Sequence, residues 1–85
     1  MKLQILGAGC AKCALLEQHA REAVTELGID ATIEKITDFG IIAQMGVIST
    51  PALAIDGVVK STGRVLTADQ IKVFISGGRF VPKHS

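Results

Sequence analysis

The stretch Gly7-Ala8-Gly9-Cys10-Ala11-Lys12-Cys13 joins an apolar run, Leu3 to Leu6, to a long segment of helical periodicity, and it holds both cysteines of the chain. Leu3 to Leu6 is apolar on both faces apart from Gln4, the pattern of an interior strand, and Gly7 stops it. From Ala11 to Leu27, the apolar positions Cys13, Leu16, Ala20, Ala23 and Leu27 recur at steps of three and four. Glu17, Gln18, Arg21, Glu22 and Glu26 fill the other face, and Gly28 suits the C′ position. The spacing predicts an amphipathic helix of about four turns. It puts Cys13 on the buried stripe and leaves Cys10 at the exposed tip.

Two thiols three positions apart at a helix start can close a small disulfide ring, and the surroundings decide which becomes a thiolate. Cys10 falls at the expected N-cap, where the orphan N–H groups of the first turn and the positive end of the macrodipole favour a negative sulfur. Lys12 adds a cation between the thiols, and no carboxylate lies within the seven residues to oppose it. The Ala11-Lys12 dipeptide is placed to tune the pair, with Lys12 either favouring the thiolate form or standing as a solvated surface cation.

At 85 residues the chain has room for one domain, residues 1–85, with residues 79–85 expected as a loose tail. Hydrophobic content of 48% supplies a core, and a formal net charge of +1 gives no field for nucleic acid or an anionic membrane. No apolar run has the length of a membrane span or the layout of a signal peptide, so the expectation is a cytoplasmic protein. In that reducing compartment a lone Cys pair points to catalysis or metal binding rather than to a structural staple.

Ala31 to Ile36 alternates, with Thr32 and Glu34 on one side, as a half-exposed edge strand does. Strand, helix and strand with a short return make a right-handed, parallel βαβ unit. Thr37 or Asp38 can cap a second, shorter helix running through Met45, weakened by Gly40 and ended by Gly46. Ser49-Thr50-Pro51 breaks the chain before the wholly apolar Ala52 to Ile55. Asp56-Gly57 then signals a hairpin into Val58 to Ser61, where Lys60 and Ser61 mark the other edge. Thr67-Ala68-Asp69-Gln70 is a capping box for a third helix with Leu66, Ile71, Phe74 and Ile75 on one face, closed by Gly77-Gly78. The order is β-α-β-α-β-β-α, an α/β protein.

That order, with Cys-x-x-Cys at the first strand-to-helix junction and a Pro at the start of the third strand, resembles the minimal thioredoxin/glutaredoxin fold. It is most similar to the small thioredoxin-like redox-active disulfide proteins of bacteria and archaea. Gly9-Cys10-Ala11-Lys12-Cys13 matches their active-site motif, Thr50-Pro51 their cis Thr-Pro, and Gly63 a glycine after the last strand. The resemblance implies a four-stranded mixed sheet in the order 2-1-3-4 with three helices. It also implies Cys10 as attacking thiolate, Cys13 as resolving thiol, and a substrate segment received by Gly9, Thr50, Pro51 and Gly63. The implied partners are a protein or small-molecule disulfide and an electron donor, either a thioredoxin reductase-like protein or glutathione. The protein would act as a monomer without a cofactor or metal.

Several positions depart from the better-known families. Gly9 stands where thioredoxins carry a Trp, Ala11-Lys12 where they carry Gly-Pro and glutaredoxins Pro-Tyr, and the strand before the motif offers Gln4 in place of a buried carboxylate. No acidic residue follows Gly63 until Asp69, where glutaredoxins place a glutathione-binding pair. The competing reading is a soft-metal module holding Cu(I) or Zn(II) on the same two cysteines, since Gly-x-Gly-Cys-x-x-Cys also resembles the loop of small metal chaperones, whose fold runs βαββαβ. His19 reads as a helix-flank residue and His84 as part of the tail. Ile41, Ile42 and Met45 read as core or as a partner-docking surface. Gly7 and Gly9 lack the rest of any phosphate-binding fingerprint.

Overall fold

A computed structural model describes residues 1–8 and 11–76. Its elements are β1 (Lys2–Leu6), α1 (Ala11–Leu27), β2 (Thr32–Ile36), α2 (Phe39–Gln44), β3 (Ala52–Ile55), β4 (Val58–Thr62) and α3 (Ala68–Ile75). The four strands form one sheet in the order β2-β1-β3-β4. β1 pairs with β2 in parallel, with Leu3 beside Ile33 and Leu6 beside Ile36, while β3 is antiparallel to both β1 and β4.

The wholly apolar strand takes the centre with β1, and the strands bearing charge take the edges. All four residues of β3 are buried, as are Leu3, Ile5 and Leu6 of β1. Alternation then sorts their side chains onto two faces. Leu3, Ile5, Leu53 and Ile55 meet Leu16, Ala20 and Ala23 of α1 and Ile71 of α3 in the larger cluster. Leu6, Ala52 and Ala54 meet Ile42 of α2 and Val47 in a smaller one.

Helix ends follow local chemistry. Asp38 caps α2, its Oδ1 accepting from the Gly40 and Ile41 N–H groups, and Met45 is the C-cap. Thr67 and Gln70 complete the expected capping box on α3: Thr67 Oγ1 accepts from Gln70 N at 3.2 Å, and Gln70 Oε1 accepts from Thr67 N at 2.9 Å.

Some details differ from the sequence expectation: β2 starts at Thr32 rather than Ala31, and α2 ends at Gln44 with Met45 as its cap. Leu66 precedes the α3 cap, although its side chain is buried with that helix. β4 extends one residue, to Thr62, across a register shift between Leu53 and Ala54. Leu27, assigned to the buried stripe, is 37% exposed. The 17 residues of α1 span about 25 Å, against about 17 Å for a five-residue strand, so the last turn overhangs the sheet. Gly77-Gly78 and the proposed tail, residues 79–85, lie outside the described residues. α2 follows β2 directly, where a βαββαβ metal-chaperone chain would have a strand.

Candidate functional site

The carboxyl end of β1 and the start of α1 bring distant pieces of chain together around one sulfur. Gly7 follows β1 directly, its N–H donating to the Ile36 carbonyl at 2.9 Å. Its φ is +143°, and a Cβ placed on it would lie 2.5 Å from Cys13 Sγ and 3.3 Å from Thr50 Cβ. The missing side chain is therefore the space the thiol group uses. Cys13, one of the buried residues of α1 at 8% exposure, sits on the stripe that the helical period assigned to it.

Thr50, from the loop before β3, borders the same space beside Gly7, and the Thr50–Pro51 peptide bond is cis. Pro51 is fully buried and its carbonyl accepts from Gly63 N at 2.9 Å, tying the loop after β4 to the loop before β3. Gly63 has φ +70°, and a Cβ there would lie 3.1 Å from Ser49 Cβ. Residues 7, 13, 50, 51 and 63, scattered over the sequence, are thus one packed unit. Ala11 and Lys12 are exposed on the first turn of α1. Gly9 and Cys10, to which substrate-binding and nucleophile roles were assigned, lie outside the described residues.

Beside Cys13 a pocket of about 190 Å³ opens, lined also by Gly7, Glu17, Lys35 and Thr37. Glu17 is the carboxylate that lines this pocket. It sits one turn beyond Cys13 on α1, with its side chain 15% exposed, and accepts from Arg21 Nη2 at 2.7 Å and from Lys35 Nζ at 3.2 Å. The hydrogen bond from Arg21 holds its carboxyl below the ordinary glutamate range against an opposing effect of partial burial, with Lys35 acting in the same sense as Arg21. Glu17 is therefore an anion at neutral pH, and the pocket carries a fixed ion-pair network rather than a proton donor. A search for an acid on β1 alone misses it. The usable signal is the i, i+4 spacing of Cys13 and Glu17, which places both on neighbouring helical positions.

His19 is more than a flank residue. Its Nδ1–H donates to the Leu66 carbonyl at 2.7 Å, fixing the segment before α3 to the middle of α1. Ile42 is core, Met45 packs half-buried against it, and Ile41 is 47% exposed. Among the described residues no group of three or more His, Cys, Asp or Glu side chains is placed to hold a metal ion, and no helix is long and apolar enough to cross a membrane.

Comparison with known proteins gives concordant matches. Residues 1–76 match the family model described as thioredoxin domain. A thioredoxin of Methanothermobacter thermautotrophicus is 51% identical over 76 residues, spanning 89% of this chain and 99% of the relative. A thioredoxin of Methanocaldococcus jannaschii is 41% identical over 70 residues, spanning 82% of this chain and 80% of the relative.

Proposed function

The chain belongs to the thioredoxin family, and from that premise we propose that it is a thiol–disulfide oxidoreductase working through the Cys10-Ala11-Lys12-Cys13 pair. Cys10 is the attacking thiolate and Cys13 the resolving thiol. The observation that carries this reading is the packing of Cys13 Sγ into the space left open by Gly7, a space also bordered by Thr50 of the loop that Gly63 braces through Pro51. A buried second sulfur at the first turn of a helix is what a resolving thiol needs: it is held within reach of its neighbour and shielded from competing reagents.

The chemistry balances as two successive displacements. The Cys10 thiolate attacks one sulfur of a substrate disulfide, forming a Cys10–substrate bond while the substrate's own S–S bond breaks and its other sulfur leaves with the electron pair. Cys13 loses its proton to water and attacks Cys10 Sγ, so the mixed disulfide breaks, the Cys10–Cys13 bond forms, and the second substrate thiolate departs. The substrate gains two electrons and, from solvent, two protons. A thioredoxin reductase-like protein or glutathione then restores the dithiol. Lys12 favours the thiolate, while Gly9, Thr50, Pro51 and Gly63 receive an extended substrate segment. The protein acts in the cytoplasm as a monomer.

The test uses single serine variants incubated with a disulfide peptide and read by non-reducing electrophoresis. Cys13→Ser accumulates a reducible mixed disulfide because no neighbouring thiol releases the product, and Cys10→Ser traps nothing. Equal trapping by both variants, or none by either, overturns the assignment. A Cu(I) or Zn(II) carrier would instead lose metal comparably with either substitution.

A further inference from the structure

The charges that surround the thiol bear on which disulfides this molecule meets. At the end carrying Cys13 stand Lys12, Lys35 and Arg64. Lys12 is exposed on the first turn of α1, seven residues before His19 and so on the same helical stripe. Because His19 holds the Leu66 carbonyl, that stripe faces the segment that begins at Gly63, and Arg64, also exposed, lies two residues before Leu66. Neither Lys12 nor Arg64 has an ion-pair partner among the described residues. Lys35 lines the pocket on the other side of Cys13.

Two acids stand at this end, Glu17 between Arg21 and Lys35 and Asp38 on the α2 cap, and with Arg21 counted beside Glu17 the four cations outnumber them. The opposite end is balanced: Glu26, Asp30 and Asp56 stand there with Lys2, Lys72 and the amino terminus, and Asp56 at the β3–β4 hairpin accepts from Lys2 N at 2.8 Å. Asp69 and Glu26 share the single ammonium of Lys72. A chain of net charge +1 thus carries its cationic excess on the rim around its thiol.

We propose that the rim formed by Lys12, Lys35 and Arg64 makes this protein selective for protein disulfides flanked by acidic residues. The inference rests on the oxidoreductase reading and adds the substrate class to it. Cations on both sides of the sulfur attract a carboxylate on either arm of an extended segment. A cationic excess on the thiol side raises association rates with such segments without any buried contact. Arg64 matters most for testing, because it sits beside Gly63 and has no part in the displacement steps.

The experiment offers the reduced protein three disulfide peptides identical except that the residues flanking the cysteines are Glu, Gln or Lys, and measures second-order rate constants for their reduction. At low salt the Glu peptide reacts fastest and the Lys peptide slowest, with a spread of about tenfold. The spread closes toward unity at ~1 M salt, where the Debye length falls to about 3 Å. Arg64→Glu lowers the Glu-to-Lys rate ratio by about three- to tenfold. Equal rates for the three peptides at low salt, or a ratio that Arg64→Glu does not move, overturn the substrate class and leave the redox reading standing. Failure to reduce any of the peptides overturns both.

Discussion

The two faces of the sheet are built to different depths. On the face covered by α1 and α3, Leu3, Ile5, Leu53 and Ile55 from the strands interlock with Leu16, Ala20, Ala23, Leu66 and Ile71. On the other face a six-residue helix contributes Ile42, the strands contribute Leu6, Ala52 and Ala54, and Val47 completes the cluster. Toward the far end that second face carries Gln4 and Glu34 side by side in register, hydrogen-bonded at 3.1 Å, where the first face has leucine and isoleucine. The deep face holds the fold together. The shallow face ends on Leu6 and Ala52, the residues just before Gly7 and just after Pro51, so its small cluster sets the approach of the two segments that meet at Cys13.

The largest expected effect tests that division directly. Leu16→Ala empties a fully buried position in the deep cluster and should cost about 3–5 kcal/mol, whereas Ile42→Ala beneath the short helix should cost about 2 kcal/mol because a six-residue helix can settle into the space. Denaturant unfolding of the two variants gives the comparison. Equal losses, or a larger loss at Ile42, would show that the two faces share the load.

The next effect sits where the faces meet the site. Gly7→Ala must place a Cβ in the volume of Cys13 Sγ at a φ of +143°, so overpacking and backbone strain act together. A loss of about 2–3 kcal/mol is expected, with a changed alkylation rate of Cys13 in the same variant. Gly63→Ala serves as the comparison: it meets Ser49 Cβ at 3.1 Å, a side chain on an exposed loop that can give way, and should cost about 1 kcal/mol. If both glycines tolerate alanine alike, the sulfur is not confined as the packing indicates.

How far the sequence announced this molecule depends on whether the deciding interaction was local. The centre and edge strands were readable because Ala52 to Ile55 is apolar on both faces while Glu34 and Lys60 interrupt the others. Thr67-to-Gln70 spacing was enough to place a helix start. The burial of Cys13 followed from its period with Leu16 and Ala20. Glu17 was legible as a helix-surface acid but not as the pocket carboxylate, because that role depends on Lys35 arriving from β2. The His19–Leu66 bond joins residues 47 apart and leaves no periodic trace. Leu27 kept the pattern and still emerged into solvent, since a helical stripe says nothing about where the sheet beneath it ends.

The caps offer a finer version of the face comparison. Removing the Thr67 hydroxyl with Thr67→Ala takes one bond of a capping box from a helix packed on the deep face. Asp38→Ala takes both side-chain bonds from the start of α2. Each should cost about 1 kcal/mol globally. Their local consequences should differ: amide exchange in α2 should rise sharply in Asp38→Ala, since few other contacts hold it, while α3 in the Thr67 variant stays protected by Ile71. Similar protection in both variants would mean that α2 is anchored as firmly as α3.

The smallest effect concerns the ion-pair network beside the pocket and has a definite pH signature. Arg21, and after it Lys35, hold the Glu17 carboxyl below the 4.5 of an unperturbed glutamate against partial burial, so the folded protein binds this proton less readily than the unfolded chain does. The resulting stabilisation is fully present above the unfolded value, and it is lost as pH falls through the depressed folded value. Arg21 and Lys35 are each more than 60% exposed, so solvent screening keeps the contribution at or below about 1 kcal/mol. The difference in unfolding free energy between the native protein and Glu17→Gln should therefore be constant from pH 6 to 8 and shrink toward zero below about pH 4. Added salt should reduce its neutral-pH value. A difference that grows on acidification would mean that Glu17 is stabilised as the protonated acid, and it would return to the pocket a proton donor beside Cys13.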